Sequence, residues 1–301
     1  MVRWHTPVMV EEALHFLAPK PGGVYVDATV GTGGHAAALL ERFSTVRLIG
    51  LDKDSMALEI AQERLLPFHP RYRLVHTTHA NLTDTFTRSG LGSVDGILAD
   101  LGVSSLQLDA PGRGFSFQAA GPLDMRMDAT SGPAAAEWVN HASERDLAEI
   151  LARYGEERRA KQIARAIVGS RPVRDTLHLA AIVTGTRKAK GRQKLHPATR
   201  TFLALRIAVN REQEELTQFL LWVPVALNPG GRAVILSYHS LEDRLVKHTF
   251  KAEATAGRLR LLTKKVVRPS AAEVAANPRA RSARLRAAER TVPTRSGQAV
   301  N

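Results

Sequence analysis

Short apolar runs alternate with amphipathic stretches over the first hundred residues of this 301-residue chain. Four runs have the length and composition of buried strands, and stretches with helical periodicity follow the first two. The predicted strands cover residues 24–28, 46–51, 72–76 and 94–99, and the predicted helices cover residues 35–43 and 55–65. Strands that alternate with helices at this spacing predict βαβ units and a parallel sheet.

A long interruption of this alternation follows the fourth run. Residues 104–132 are rich in Gly, Pro, Ser and Asp, which predicts a loop. Residues 134–184 have helical periodicity, and a further long helix is predicted from about residue 197. The middle of the chain therefore predicts a helical insertion.

The sheet pattern then resumes. Turn residues at 228–231 end the long helix, and residues 233–238 predict another buried strand. We therefore predict one discontinuous α/β domain, residues 1–107 and 204–301, and a helical domain over residues 108–203.

Basic residues are concentrated in two parts of the chain. The formal net charge is +13, and residues 244–301 hold fourteen Lys and Arg against three acids. A second basic stretch between Asp175 and Glu212 contains no acid. Such runs can serve solubility alone, but two of them favour a nucleic acid partner, because clustered cations neutralise phosphates. Within the C-terminal run, residues 258–267 and 282–289 predict either closing strands or basic arms.

Composition excludes several classes of protein. The chain has no cysteine, which excludes disulfides, thiolate metal sites and a cysteine nucleophile. No metal site is predicted. No window approaches the 18–20 unbroken apolar residues that span a bilayer, and the first residues lack the apolar core of a signal peptide. We expect a cytoplasmic protein with no membrane association.

A glycine-rich turn follows the first predicted strand. It contains Gly31, Gly33, Gly34 and His35, and a G-x-G-x-x-A pattern runs from Gly31 to residue 36. Asp52 lies 21 residues after Gly31, at the end of the second strand. This spacing matches the dinucleotide fingerprint, in which the acid binds a ribose hydroxyl. A nucleotide cofactor is therefore expected.

Two further acids favour S-adenosylmethionine over NAD. Asp27 ends the first strand and Asp100 ends the fourth. Together with Asp52, they are expected at one edge of the sheet, where open α/β sheets bind ligands. Carboxylates suit a cationic amino-acid group better than a pyrophosphate. The alternatives are strand-end capping roles for the acids and an NAD-dependent oxidoreductase.

Eleven ordered motifs extend the pattern over nearly the whole chain. They are residues 5–8, 27–35, 52–54, 95–109, 113–117, 122–127, 154–157, 163–167, 196–202, 239–244 and 277–282. Together they resemble the bacterial MraW/RsmH methyltransferases, which methylate the N4 amine of a decoding-centre cytidine in 16S ribosomal RNA. The resemblance implies a Rossmann-like class I methyltransferase sheet dependent on S-adenosylmethionine, with an inserted all-helical domain.

The resemblance also implies site residues and partners. The cofactor contacts carried over by position are Gly33, Gly34, His35, Asp52, His79, Asp100 and Gln107. The family usually has Phe where this chain has His79, and commonly Gln where it has Leu203. The expected partner is 16S rRNA within the small ribosomal subunit, and no obligate protein partner is evident.

The residues suggest how the chemistry could proceed. Asp100 is the first candidate to orient the amine, and His239, which follows the strand over 233–238, is a candidate acceptor or proton relay. The alternative for His239 is a loop-bracing role. DNA amine methyltransferases carry Asp/Asn-Pro-Pro-aromatic at the position of Asp100, and this chain lacks the prolines and the aromatic.

Guanidinium groups and aromatic rings predict RNA contacts in the loop and helical regions. The predicted RNA-binding residues are Arg113, Phe115, Arg126, Arg200 and Arg244, with Phe117 as a further ring. For the phenylalanines, packing of the loop is the alternative. A DNA methyltransferase and a non-catalytic RNA-binding or assembly factor also remain open.

Overall fold

The computed structural model describes residues 6–90, 92–186 and 196–292. The chain forms two compact units. The sheet unit comprises Met1–Gly102 and Glu214–Asn301, and the helical unit comprises Val103–Gln213.

Seven strands of the described residues form one mixed sheet. They are β1 (Val24–Asp27), β2 (Arg47–Asp52), β3 (Tyr72–His76), β4 (Val94–Asp100), β5 (Leu227–Ser237), β6 (Leu259–Leu261) and β7 (Arg284–Arg290). Their order is β3-β2-β1-β4-β5-β7-β6. The first five strands are parallel, while β7 runs antiparallel to both of its neighbours. The predicted parallel sheet is confirmed, and the C-terminal basic run contributes closing strands.

Helices flank the sheet and build the second unit. They are α1 (Val10–Leu17), α2 (Gly34–Arg42), α3 (Ser55–Leu65), α4 (Leu82–Ser89), α5 (Ser105–Asp109), α6 (Ala135–His141), α7 (Glu144–Gly155), α8 (Ala160–Gly169), α9 (Thr176–Gly185), α10 (Thr199–Asn210), α11 (Glu212–Ala226), α12 (Ser240–Thr255) and α13 (Ala271–Ala276). No helix within the described ranges has the length and apolarity needed to cross a bilayer.

The sheet buries both of its faces. Along β1, Tyr25 packs into one apolar core with α1 and α2, and Val26 packs into the other with α11 and α12. Both side chains are 1% exposed. Because neighbouring residues of a strand point to opposite faces, an almost fully apolar run is required here. This explains why the sequence pattern revealed these strands.

Two details of the second half of the sheet differ from the sequence prediction. Residues 228–231, predicted as a turn, lie within β5, where the register against β4 shifts between Val94 and Gly96. The Asn228 side chain bonds Ser93 and Asp95 there. The polar and glycine residues therefore form an irregularity in a strand rather than the end of a helix.

The predicted long helix is two helices. Arg211 has a φ of +51° and separates α10 from α11. The break is stabilised within the helical unit, because Arg206 forms two hydrogen bonds of 2.8 Å with Glu212. The buried Asn210 amide also accepts from the Met127 amide and donates to the Met125 carbonyl, both at 2.7 Å.

The predicted insertion is too short at both ends. Phe202, Ala204 and Leu205 of α10 belong to the core of the helical unit, and Val103 and Leu108 pack against that core. The unit therefore extends over Val103–Gln213 rather than residues 108–203. The physical reason is that α10 packs along α7, so it cannot be divided at residue 203.

Candidate cofactor site at the carboxyl edge of the sheet

The glycine turn joins β1 to α2. Gly33 has a φ of +78°, a conformation that favours glycine, and directly precedes α2. A Cβ on Gly34 would lie 3.0 Å from Pro7, so this glycine permits the close approach of the N-terminal segment. A Cβ on Gly31 would meet only the Thr29 carbonyl, at 3.9 Å. The turn therefore leaves space beside Gly31.

Two strand-end acids hold the backbone around this space. One oxygen of Asp52 accepts a hydrogen bond of 2.8 Å from the Gly31 amide, and the other accepts one of 2.9 Å from the Asp54 amide. Asp27, at the end of β1, accepts from the Thr29 amide at 3.2 Å. Capping is thus one role of these acids, as the sequence allowed.

Asp100 ends β4 in the same part of the sheet unit. Its Oδ1 accepts a hydrogen bond of 2.7 Å from the Tyr238 hydroxyl, and its Oδ2 lies 3.8 Å from His35 Nδ1. The other ring nitrogen of His35 lies 2.9 Å from the Val8 carbonyl. A hydrogen on that nitrogen orients the ring. His35 therefore links the N-terminal segment to Asp100.

These acids share a common electrostatic environment. Burial, opposed by the Thr29 hydrogen bond and reinforced by repulsion from Asp100 and Asp52, raises the pKa of Asp27 to about 8. Burial also raises the pKa of Asp52 and of Asp100, although His35 and Tyr238 oppose the shift at Asp100. Within the described ranges none of the three bonds a Lys or Arg side chain. A ligand with positive groups would relieve this repulsion.

His79 offers an uncharged ring near β3. It lies in a 3₁₀ turn after the strand and meets Phe219 edge-on, with centroids 5.2 Å apart. Burial and the charge of Lys53 lower the pKa of His79 to about 3, so the ring is neutral. Its buried Nε2 has no hydrogen-bond partner among the described residues. An imidazole in this state can contact an aromatic base.

His239 occupies a bracing position. It is the N-cap of α12, and its Nδ1 lies 3.5 Å from the Glu242 amide. Its Nε2 lies 2.9 Å from one Glu242 oxygen, and the other oxygen accepts from the Tyr238 amide at 2.9 Å. Both ring nitrogens therefore lie close to Glu242, although Nε2 forms no hydrogen bond with the described residues. This position is compatible with the loop-bracing alternative, and the proton relay stays a prediction. Arg244 is exposed on the next turn of α12.

Tyr238 is a site residue that sequence reasoning did not single out as functional, whereas Glu242 was a candidate to position RNA or to hold the loop. Tyr238 follows β5 directly and bonds Asp100, while Glu242 is 2% exposed and fixes the start of α12. The rule that located Asp100, a polar residue just beyond a buried parallel strand, also applies to Tyr238. Because the ring of Tyr238 is largely apolar, this residue was included in the predicted strand.

In the helical unit, Gln107 is a helix-capping residue. Ser104 and Gln107 form a reciprocal capping box at the start of α5, with hydrogen bonds of 3.0 and 3.2 Å. The side chain is 4% exposed. The predicted cofactor contact of Gln107 stays a prediction.

Two predicted RNA contacts instead organise the loop before α6. The Arg113 guanidinium donates to the Arg126 and Met127 carbonyls at 3.0 and 2.8 Å and lies 5.9 Å from the Phe115 ring centroid. Phe115 is 7% exposed within the helical core. Its ring is therefore packed by the protein, which argues against the predicted contact with a base.

The other predicted RNA residues of this unit remain nearer the surface. Arg126 forms two hydrogen bonds with Asp124, at 2.7 and 3.0 Å, and is partly exposed. Arg200 is exposed and donates to the Glu156 carbonyl at 3.0 Å. Phe117 packs between His196 and Phe202. The basic residues at 187–194 lie outside the described residues.

The sheet order and the glycine turn, with acids at three strand ends, are those of a class I methyltransferase dependent on S-adenosylmethionine. The profile of the MraW methylase family matches residues 3–291. The chain belongs to this family.

Curated relatives align over most of the chain. Ribosomal RNA small subunit methyltransferase H of Koribacter versatilis is 47% identical, over 95% of this chain and 94% of that protein. The protein of the same name from Cyanothece sp. is 49% identical, over 95% and 94%. Among solved structures, TrmN from Thermus thermophilus is 14% identical with a TM-score of 0.45, over 94% of this chain and 48% of that one.

Proposed function

We propose that this protein transfers a methyl group from S-adenosylmethionine to the exocyclic N4 amine of a decoding-centre cytidine in 16S rRNA of the small ribosomal subunit. The observation that carries the proposal is the similarity to proteins named ribosomal RNA small subunit methyltransferase H, six of which are 45–49% identical. The choice of the N4 amine rests on the family resemblance. We propose a cytoplasmic location because that is where ribosomal subunits are found.

The residues of the sheet unit fit the cofactor. S-Adenosylmethionine supplies an electrophilic methyl group on a sulfonium centre and also carries an ammonium group. Asp27, Asp52 and Asp100 would balance these charges, and the open space beside Gly31 would admit the ligand. His79 would contact the adenine ring. Gly33, Gly34 and His35 would shape the turn around it.

Asp100 would act on the amine. The N4 lone pair is delocalised into the cytosine ring, so an acceptor for an N4 hydrogen raises the nucleophilicity of the nitrogen. Tyr238 holds Oδ1 of Asp100, which leaves Oδ2 to accept this hydrogen bond. The raised pKa of Asp100 also suits Oδ2 to take up the proton that the amine releases. Orientation of the amine supplies the remainder of the rate enhancement.

The helical unit is proposed to recognise RNA, with Arg126 and Arg200 as phosphate contacts. Arg244 of the sheet unit is proposed as a third. Guanidinium groups bind phosphate oxygens in paired hydrogen bonds, and partly exposed side chains can exchange protein partners for such contacts.

The test is methyl transfer from isotopically labelled S-adenosylmethionine to small ribosomal subunits, naked 16S rRNA and duplex DNA. We expect label in subunit RNA and N4-methylcytidine as the modified nucleoside by mass spectrometry. Label in DNA would favour a DNA amine methyltransferase. Binding to subunits without label would favour a non-catalytic assembly factor. Either result would overturn the proposal.

A further inference from the structure

Three arginines of the β5–β7–β6 part of the sheet bind carboxylates at its amino edge, the edge at which the parallel strands begin. Glu289 accepts from Arg232 at 2.9 Å and from Arg260 at 2.7 Å. Glu253 accepts from Arg258 at 2.8 Å. Each of these three arginines therefore has a carboxylate partner within the protein.

The opposite edge has basic side chains of a different kind. Lys264, Lys265 and Arg268 are exposed in the segment that joins β6 to β7, residues 262–283, here called the basic segment. Over the ranges that the structure describes, none of the three forms a hydrogen bond or an ion pair. Three uncompensated cations thus lie within five residues.

Backbone pairing fixes where the basic segment lies. Val267 and Leu285 exchange hydrogen bonds of 3.1 and 3.0 Å, and Leu285 pairs with Leu236 near the carboxyl end of β5. This end of β5 leads directly into Tyr238, which bonds Asp100. The three cations are therefore on the edge of the sheet that bears the strand-end acids.

A chain of short contacts joins the basic segment to Asp100. Glu273 of α13 accepts from the Met9 amide at 2.6 Å. The neighbouring Val8 carbonyl lies 2.9 Å from His35, which is 3.8 Å from Asp100. The charge of Glu273 also contributes to the raised pKa of Tyr238, after burial and Asp100. The segment is thus linked to Asp100 through the N-terminal segment and His35.

We propose that the basic segment is a docking surface for the phosphate backbone of the substrate RNA, with Lys264, Lys265 and Arg268 as its phosphate contacts. Ionised carboxylates at this edge repel a polyanion, and uncompensated cations at the same edge offset that repulsion. A nucleotide presented to Asp100 is covalently linked to flanking phosphates that must also be accommodated. The identity of the RNA rests on the proposed function, but the surface itself does not.

The test compares two full-length triple variants with equal loss of charge. One variant is Lys264→Gln/Lys265→Gln/Arg268→Gln. The control is Lys20→Gln/Arg47→Gln/Arg88→Gln, which removes exposed cations from separate elements at the amino edge. The probe is a fluorescein-labelled single-stranded RNA containing the decoding-centre cytidine, and anisotropy gives Kd over a series of salt concentrations. Circular dichroism and Tm verify that both variants fold.

We expect the basic-segment variant to bind this RNA at least about tenfold more weakly, with a salt slope smaller by about 2, because each lost phosphate contact on single strands removes about 0.7. Its KM for small subunits should rise while its Kd for S-adenosylmethionine stays unchanged. The control should bind RNA within about twofold of the wild type. Equal weakening in both variants, or none in either, would overturn the docking surface.

Two further measurements separate the outcomes. If the basic-segment variant loses binding to phosphatidylserine vesicles but keeps RNA binding, the surface serves a membrane and the proposal is wrong. Methyl transfer by the wild type is measured independently. No transfer, combined with weaker RNA binding by the variant, would refute the proposed function and leave the docking surface standing; the reverse pattern would refute only the surface.

Discussion

The two edges of the β5–β7–β6 part of the sheet use charge in opposite ways. At the amino edge, Glu289 binds two arginines, and Arg290 donates to the Val225 and Leu227 carbonyls. At the carboxyl edge, Asp100 of the neighbouring β4 binds no Lys or Arg side chain, and over the described residues Lys264, Lys265 and Arg268 have no partner. Paired charges contribute to stability, whereas uncompensated ones are available to ligands. We therefore expect ligands to bind at the carboxyl edge.

The largest expected effect comes from Asp100→Asn. Methyl transfer should fall by about 10²- to 10³-fold, because the amide removes the charge and the proton acceptor while keeping an oxygen for the Tyr238 hydroxyl. Labelled-methyl incorporation into small subunits measures the rate, and circular dichroism measures folding. Turnover like that of the wild type in a folded variant would remove Asp100 from the reaction.

The second-largest effect is expected in the pH dependence of cofactor affinity, through the carboxyl of Asp27. If the cationic cofactor binds the ionised carboxyl, affinity should rise by up to about tenfold per pH unit towards the pKa of about 8 and then level off. Calorimetric titration with S-adenosylmethionine between pH 6 and 9 should show proton release on binding. Asp27→Asn should flatten the profile, and an unchanged slope in this variant would assign the pH dependence to another group.

The Asp27 carboxyl also makes the stability of the cofactor-free protein depend on pH. The folded state retains a proton on Asp27 that the unfolded state has already released, between about pH 4 and pH 8. The free energy of unfolding should therefore decrease as pH rises through this range. Urea unfolding at several pH values measures it, and Asp27→Asn should show a shallower decrease.

At the amino edge, Glu289→Gln should reduce stability and leave methyl transfer nearly unchanged, the reverse of Asp100→Asn. It leaves Arg232 and Arg260 without their carboxylate, so we expect a loss of about 1 kcal/mol in the free energy of unfolding. Methyl transfer should remain within about twofold of the wild type when both are measured well below Tm. A large loss of activity without loss of stability would break the distinction between the edges.

The smallest effect is expected from Tyr238→Phe. Loss of the hydroxyl removes a donor to Asp100 and raises the pKa of that carboxyl further, since this hydrogen bond lowers it. The rate should fall by about threefold at neutral pH, and the acidic limb of the pH–rate profile should move to higher pH. A uniform loss at all pH values would indicate a packing defect instead.

The first four strands and their flanking helices could be predicted because buried parallel strands are apolar on both faces. Residues 55–65 and 72–76 were predicted with the bounds that the structure gives. The strand-end acids could also be placed, since the carboxyl ends of parallel strands share one edge. Sequence order and elementary geometry were sufficient there.

The last strand could not be recognised with the same certainty. β7 contains Arg284, Arg286, Glu289 and Arg290. The carboxylate of Glu289 and the guanidinium of Arg286 are paired by residues distant in sequence, Arg232 and Asp243. The sequence pattern of β7 is therefore equally compatible with a strand and with a basic arm. The surroundings of Phe115 and His239 could not be predicted for a related reason, because their neighbours in the fold, not their residue types, determine what their rings contact.

Because β7 lies between β5 and β6 in the sheet, the edge of β5 is covered only after β7 has been synthesised. At 5–20 residues per second, about 3–11 s separate completion of residue 237, which ends β5, from completion of residue 290, which ends β7. During that interval β5 has an unpaired edge, a template for association with other chains. We therefore expect the nascent chain to be most vulnerable to aggregation, and most dependent on chaperones, after the helical unit has emerged.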